Sequence, residues 1–171
     1  MAVPTVVLVE GESDAEAVRA LAERRRASPD VRAMGGITNL ARYAAELAPT
    51  HRLVGLYDAA EERYVVGGLA RAGPTTAGFH RCERDLEDEL IRALGAERVQ
   101  EVLAAHGDLE PFRVLQRQPV QRTWSVEEQL HRFFGAGSGR KVRYGRMLVD
   151  ALADDEVPAP LVAVLADALA T

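Results

Sequence analysis

The chain has 171 residues, 47% of them hydrophobic and 27% charged, which suffices for one domain with a full core or a small domain plus an extension. A single cysteine, Cys82, excludes an internal disulfide and no apolar run is long enough to span a bilayer, so a soluble protein of the reducing cytoplasm is expected. The net charge of −5 excludes a uniformly basic nucleic-acid binder, yet Pro111–Arg146 carries eight basic residues against Glu127 and Glu128; that segment is +6, so the rest is −11.

Thr5–Val9 is a continuous β-branched apolar run, the pattern of a parallel strand buried on both faces. Ser13 and Glu16 have the spacing of a capping box opening a helix whose stripe is Ala17, Val18, Leu21 and Ala22, ending near Ser28-Pro29. Val31–Met34 is a second short strand closed by Gly35-Gly36, and Ile37, Leu40, Ala41, Ala44 and Ala48 follow at helical spacing. Arg52–Tyr57 is a third strand ending at Asp58, with a helix through Val65, Val66 and Leu69 to Gly73-Pro74. Gly78–Cys82 is a weaker fourth strand before the helical stretch DLEDELIRAL, Asp85–Leu94. Alternating strands and helices predict an α/β fold of βαβ units: a parallel sheet of about four strands flanked by helices.

After Gly95 only helical patterns recur: one through Val99, Val102 and Leu103, a second through Val126, Leu130, Phe133 and Phe134, a third through Met147, Leu148, Ala151 and Leu152, and a last through Leu161, Val162, Leu165 and Leu169. The expected organisation is an α/β domain over residues 1–110 and a helical, partly basic C-terminal extension over 111–171 packed on it.

In an open parallel sheet, ligands bind at the carboxyl ends of the strands. Those ends read Glu10, then Gly35-Gly36, then Asp58, then Glu83 and Asp85 with Glu87 behind. Such an acidic edge repels itself unless a cation sits in it, and Mg²⁺ suits carboxylate oxygens while keeping waters for a phosphate substrate. Two such ions would stabilise both the attacking and leaving oxygens of a phosphodiester. Asp14 also has a plainer use at the start of a helix, as do Asp85, Glu87, Asp88 and Glu89, and Glu12 reads as loop surface.

Together VLVEGESDAEAV, AMGG, GLYDAAEE and CERDLEDELIRALG resemble a Toprim domain, the metal-binding α/β module of topoisomerases, bacterial primases and OLD nucleases. EGESD and DLEDEL are most similar to the OLD-type branch, and the chain resembles small stand-alone actinobacterial Toprim proteins labelled ATP-dependent endonuclease. The resemblance implies a Toprim-like Rossmannoid fold and a nuclease dependent on Mg²⁺ or Mn²⁺ that cleaves or nicks nucleic acid, DNA above all. It makes Glu10 a metal ligand or general acid/base, Asp14 the second acid of EGxxD, Asp58 the first aspartate of DxD, and Asp85 and Glu87 the later acidic pair. Ala60 stands where the second DxD aspartate is expected, with Glu61 one residue on as a substitute ligand. Lys141, the only lysine among twenty arginines, matches a late lysine that stabilises transition-state charge, and Arg140 and Arg143 beside it are candidate phosphate contacts.

GAGSGRKV, Gly135–Val142, fails the Walker pattern because Arg140 and Val142 flank the lysine, so ATP dependence finds no support and any ATPase would be a separate partner. His51, His80, His106 and His131 form no spaced zinc pair and read as structural. Cys82 reads as a buried thiol, Trp124 as a packing anchor, and Tyr57 as pointing away from the acids. The rival function is a non-catalytic Toprim module that binds nucleic acid or a protein, with Ala60 as its support; a small-molecule phosphotransfer enzyme fits the basic segment less well.

Overall fold

The structure is a computed structural model and describes residues 3–73, 75–136 and 139–170. Pro74, expected after the third helix, and Gly137-Ser138 of the glycine-rich GAGSGRKV stretch lie outside the described residues. Strands β1 (Thr5–Val9), β2 (Asp30–Ala33), β3 (Arg52–Asp58) and β4 (Phe79–Cys82) form a four-stranded sheet in the order β2-β1-β3-β4. All three pairings are parallel, with Val7 opposite Val31 and Val54, and Asp58 opposite Cys82. β1 is central, which explains why Val6–Val9 are fully buried and why the run is apolar on both faces.

Between the strands come α1 (Glu12–Arg24), α2 (Leu40–Leu47) and α3 (Glu62–Ala72), α2 and α3 each entered through a 3₁₀ turn. After β4 come α4 (Leu86–Leu94), α5 (Ala96–Ala105), α6 (Leu109–Gln116), a 3₁₀ segment (Pro119–Thr123), α7 (Val126–Gly135), α8 (Arg140–Ala151) and α9 (Ala159–Leu169). Strand alternation splits the core. Val6, Leu8, Leu53 and Phe79 face α2 and α3, packing with Leu40 and Leu69. Val7, Val9, Val54 and Leu56 face the other way, into a larger cluster with Leu21, Leu90, Phe134, Leu148 and Leu165. The later helices therefore share one core with the sheet: α8 lies along α1, and α9 covers β3 and β4. No helix is long and apolar enough to cross a membrane among the described residues.

Three local expectations are corrected. The helix after β1 is capped by Gly11, not Ser13: the Asp14 carboxylate reaches back to accept the Gly11 N–H at 3.1 Å, a reach that starts α1 at Glu12. Its other end comes at Arg24, ahead of Ser28-Pro29, where Arg26 takes a left-handed φ of 55°. Trp124 is 40% exposed and anchors nothing in the core; Phe112, fully buried, does that from α6, a helix the periodicity of the tail does not announce. Cys82 is buried, as expected, and its burial pushes the thiol far above its ordinary pKa.

Candidate metal centre

The carboxyl ends of β1, β3 and β4 converge on a cleft of about 520 Å³ lined by Glu10, Asp14, Asp58, Glu61, Asp85 and Glu87, with Lys141 on its wall. Each position has a local cause. β1 stops at Glu10 because Gly35 and Gly36 wrap over it, their N–H groups donating to the Glu10 carbonyl at 2.9 and 3.1 Å. Gly35 and Gly36 take φ of 72° and 125°, angles that side chains resist, which is the physical use of the AMGG stretch. Asp58 ends β3, and the 3₁₀ turn Ala59–Glu61 swings Glu61 back toward the cleft while Ala60 stays exposed.

The acids fall into two groups. Glu10, Asp58 and Glu61 can each present an oxygen such that all three lie within 4.8 Å of one another. Burial pushes the Asp58 carboxyl up to about 8, with Asp14, Asp85, Glu61 and Glu10 adding repulsion. Burial likewise lifts Glu61 to about 7, together with the charge of Glu10 and a hydrogen bond to it. One Glu61 oxygen, Oε2, is buried without a hydrogen-bond partner. Three converging carboxylates, two of them resisting ionisation and one with an orphaned oxygen, fit a hard divalent cation. Glu61 thus presents a carboxylate oxygen beside Glu10 and Asp58, where Ala60 has none.

Asp14, Asp85 and Glu87 form the second group, and here the chain provides its own cations. Glu87 is 3% exposed; its Oε1 accepts the Ser13 hydroxyl at 2.6 Å and its Oε2 faces the Lys141 ammonium at 3.1 Å. Burial works against the Lys141 charge, but Glu87, Asp14 and Asp85 outweigh it and hold the ammonium above its ordinary pKa. Asp85 caps α4 by accepting the Asp88 N–H at 2.8 Å and meets Nε2 of His131 at 2.5 Å. Burial alone would raise Asp85; His131 and the backbone N–H overcome it and lower the pKa. Asp14 stays high, about 7, through burial and the neighbouring Glu87. Lys141 reaches the cleft because α8 lies tight on α1: a Cβ at Gly145 would sit 2.5 Å from the Ser13 carbonyl oxygen.

Arg140 and Arg143 are not brought to the cleft. Arg140 donates to the Phe133 carbonyl at 3.0 Å with its guanidinium 4.0 Å from that ring's centre, and Arg143 pairs with Asp108 beside Tyr144. Residues adjacent on a helix point about 100° apart, so within this one turn Lys141 faces the acids while Arg140 and Arg143 point elsewhere. Glu12 is exposed on the rim, pairing with Arg19, and Tyr57 packs toward the α2–α3 side. His131 and Ser13 are the participants sequence reasoning missed; His131 lies 46 residues from its partner and no spacing links them.

No family model matches the chain, and no curated protein shows significant similarity. Among solved structures, the C-terminal region of the Xanthomonas campestris pv. campestris OLD protein, in a mercury-phased form, is similar at 25% identity and a TM-score of 0.71, over 95% of this chain and 92% of that one. Its platinum-phased form gives 25% and 0.72 over 95% and 90%. The C-terminal region of the Burkholderia pseudomallei OLD protein shares the fold at 19% identity and 0.69, over 98% of each chain. The α/β Toprim-like architecture expected from sequence is therefore present, and the resemblance to the OLD-type branch is borne out along nearly the whole chain.

Proposed function

We propose that this chain is a nuclease of the Toprim and OLD type that hydrolyses or nicks a nucleic-acid phosphodiester, in DNA first of all, with Mg²⁺ or Mn²⁺ held by Glu10, Asp58 and Glu61. The observation that carries the reading is the convergence of those three carboxylates at the strand ends, with burial and mutual repulsion pushing Asp58 and Glu61 toward neutrality. A bound divalent ion supplies the charge that stabilises developing oxyanions and makes a water nucleophilic at neutral pH. The chain's own residues do the rest. Lys141, half exposed on the cleft wall, offers its ammonium to a non-bridging phosphate oxygen, and Glu87 and Ser13 hold it there. Asp85, kept ionised by His131, and Asp14 complete the acidic wall and are the residues to hold a second ion. Glu10, at the end of the central strand, is the group that either ligates or moves a proton.

Nicking of supercoiled plasmid with Mg²⁺ or Mn²⁺ tests the reading. Metal-dependent nicking that disappears in Glu10→Ala and Asp58→Ala supports it; nicking that survives both variants, or none under any metal, defeats it.

A further inference from the structure

Beside the acidic cleft, on the α2–α3 face, lies a second cavity of about 290 Å³ lined by Ile37, Thr38, Arg63, Tyr64, Gly67 and Arg71 among others. It adjoins the cleft along the chain on both sides. Gly36 lines the cleft and Ile37 the cavity; Glu61 lines the cleft and Arg63 and Tyr64 the cavity. Arg63 and Tyr64 follow Glu61 by two and three residues.

Its walls combine planar and cationic groups. Tyr64 is 40% exposed, and the Arg63 guanidinium lies 4.8 Å from its ring centre while donating to the Tyr64 hydroxyl at 3.0 Å. Arg63, Gly67 and Arg71 sit at i, i+4 and i+8, on one stripe of α3. The two backbone positions are thus roughly 12 Å apart along the axis, at 1.5 Å per residue. Three or four stacked nucleotides cover that span at roughly 3.4 Å each. Neither arginine pairs with a carboxylate among the described residues, whereas Arg140 and Arg143 are used inside the protein. Glu62, the nearest acid in sequence, lies close enough to Tyr57 to help raise the pKa of its hydroxyl, after burial.

The paired glycines explain how the space arises. Gly68 is forced by packing, since its Cβ would lie 3.3 Å from the Ala41 nitrogen where α2 and α3 touch. Gly67 has no such reason: a Cβ there would meet nothing within 4 Å. A glycine in a helix interior is costly, and here it leaves a gap between two arginines.

We infer that this groove is the strand-binding track of the enzyme: a single-stranded stretch flanking the scissile phosphate, with one base against Tyr64 and phosphates at Arg63 and Arg71. Stacking on an aromatic ring plus arginine contacts to the backbone is how single strands are held without sequence preference. The inference rests on the nuclease reading for its choice of polyanion.

The test is anisotropy of a fluorescein-labelled single-stranded oligonucleotide of about 12 nucleotides with the intact protein in Ca²⁺, over a salt series, beside plasmid nicking by the same proteins. The double variant Arg63→Ala/Arg71→Ala should lower the magnitude of the salt slope by roughly 1.4, at about 0.7 per phosphate contact on a single strand. Tyr64→Ala should weaken binding by about tenfold. Gly67→Leu should weaken binding while thermal unfolding holds or rises, because its side chain enters open space and leucine favours a helix over glycine. Wild-type affinity and slope in all three variants overturn the inference while metal-dependent nicking by the wild type leaves the nuclease reading standing. Oligonucleotide binding that these variants weaken, in a protein that nicks nothing, upholds the groove and defeats the nuclease reading. A Gly67→Leu protein that sediments as a monomer where the wild type is a dimer, with oligonucleotide binding intact, assigns the groove to a second copy and overturns the inference.

Discussion

The two halves of the acidic cleft share a chemistry and differ in what neutralises it. Asp85 and Glu87 are met by His131 and Lys141, from α7 and α8. Among the described residues Glu10, Asp58 and Glu61 form no salt bridge, and burial with neighbouring carboxylates pushes Asp58 and Glu61 up to about 8 and about 7. Like charges gathered by a sheet edge must be paired, protonated or bound to a cation. The chain supplies the first solution on one side and the second on the other, where the proposed divalent ion would be the third.

The largest effect should come from the side without an internal cation. Losing metal assistance removes several kcal/mol of transition-state stabilisation, so Glu10→Ala or Asp58→Ala should slow nicking by about 10³-fold. Glu61→Gln should do nearly as much, which would separate this cleft from one that works without the residue after Ala60. On the other side, Lys141→Ala should cost about 10²-fold in rate with metal binding retained, and Lys141→Arg should not restore it, since a planar fork does not replace a point charge. Lys141→Met also strands Glu87, 3% exposed, without its counter-charge, so the melting temperature should fall and recover in the double variant Lys141→Met/Glu87→Gln.

Proton linkage sharpens the contrast further. Carboxyls whose folded pKa is raised hold protons that the unfolded chain has released, so without metal the stability these groups contribute is greatest at low pH. It declines between about pH 4 and about pH 8 as Asp58, Glu61 and Asp14 are forced to ionise. In EDTA the melting temperature should fall across that window, and Mg²⁺ should remove the fall and stabilise most at its alkaline end. A melting curve in EDTA that is flat or rises over this range would remove the electrostatic basis of the metal assignment. The smallest effect belongs to His131→Ala, which leaves Asp85 capped by a backbone N–H but unpaired; nicking should drop by about tenfold, with His131→Gln in between.

Much of the fold was legible because burial writes itself into the strands. Thr5–Val9 is apolar on both faces only if central, and each strand end carries a glycine pair or an acid. The acids of the site could be read in the same way, since strand ends in a parallel sheet share one edge. What could not be read is direction. Ser13 looked like a cap and instead donates its hydroxyl to Glu87, because α1 already begins at Glu12 and places Ser13 inside its first turn. Arg140, Lys141 and Arg143 are equivalent as letters, and only the angle of α8 against α1, set at Gly145, decides that Lys141 alone reaches the acids. The helix Leu109–Gln116 escaped because Phe112 is its one buried residue, too little for a periodic pattern.

The central claim is that Glu10, Asp58 and Glu61 form the primary cation site, and calorimetric titration of the intact protein with Mn²⁺ near pH 8 tests it most directly. Saturable binding that vanishes in Asp58→Asn and Glu61→Gln, and persists in Lys141→Ala, is the predicted result. No binding by the wild type, or binding indifferent to Asp58 and Glu61, would contradict it.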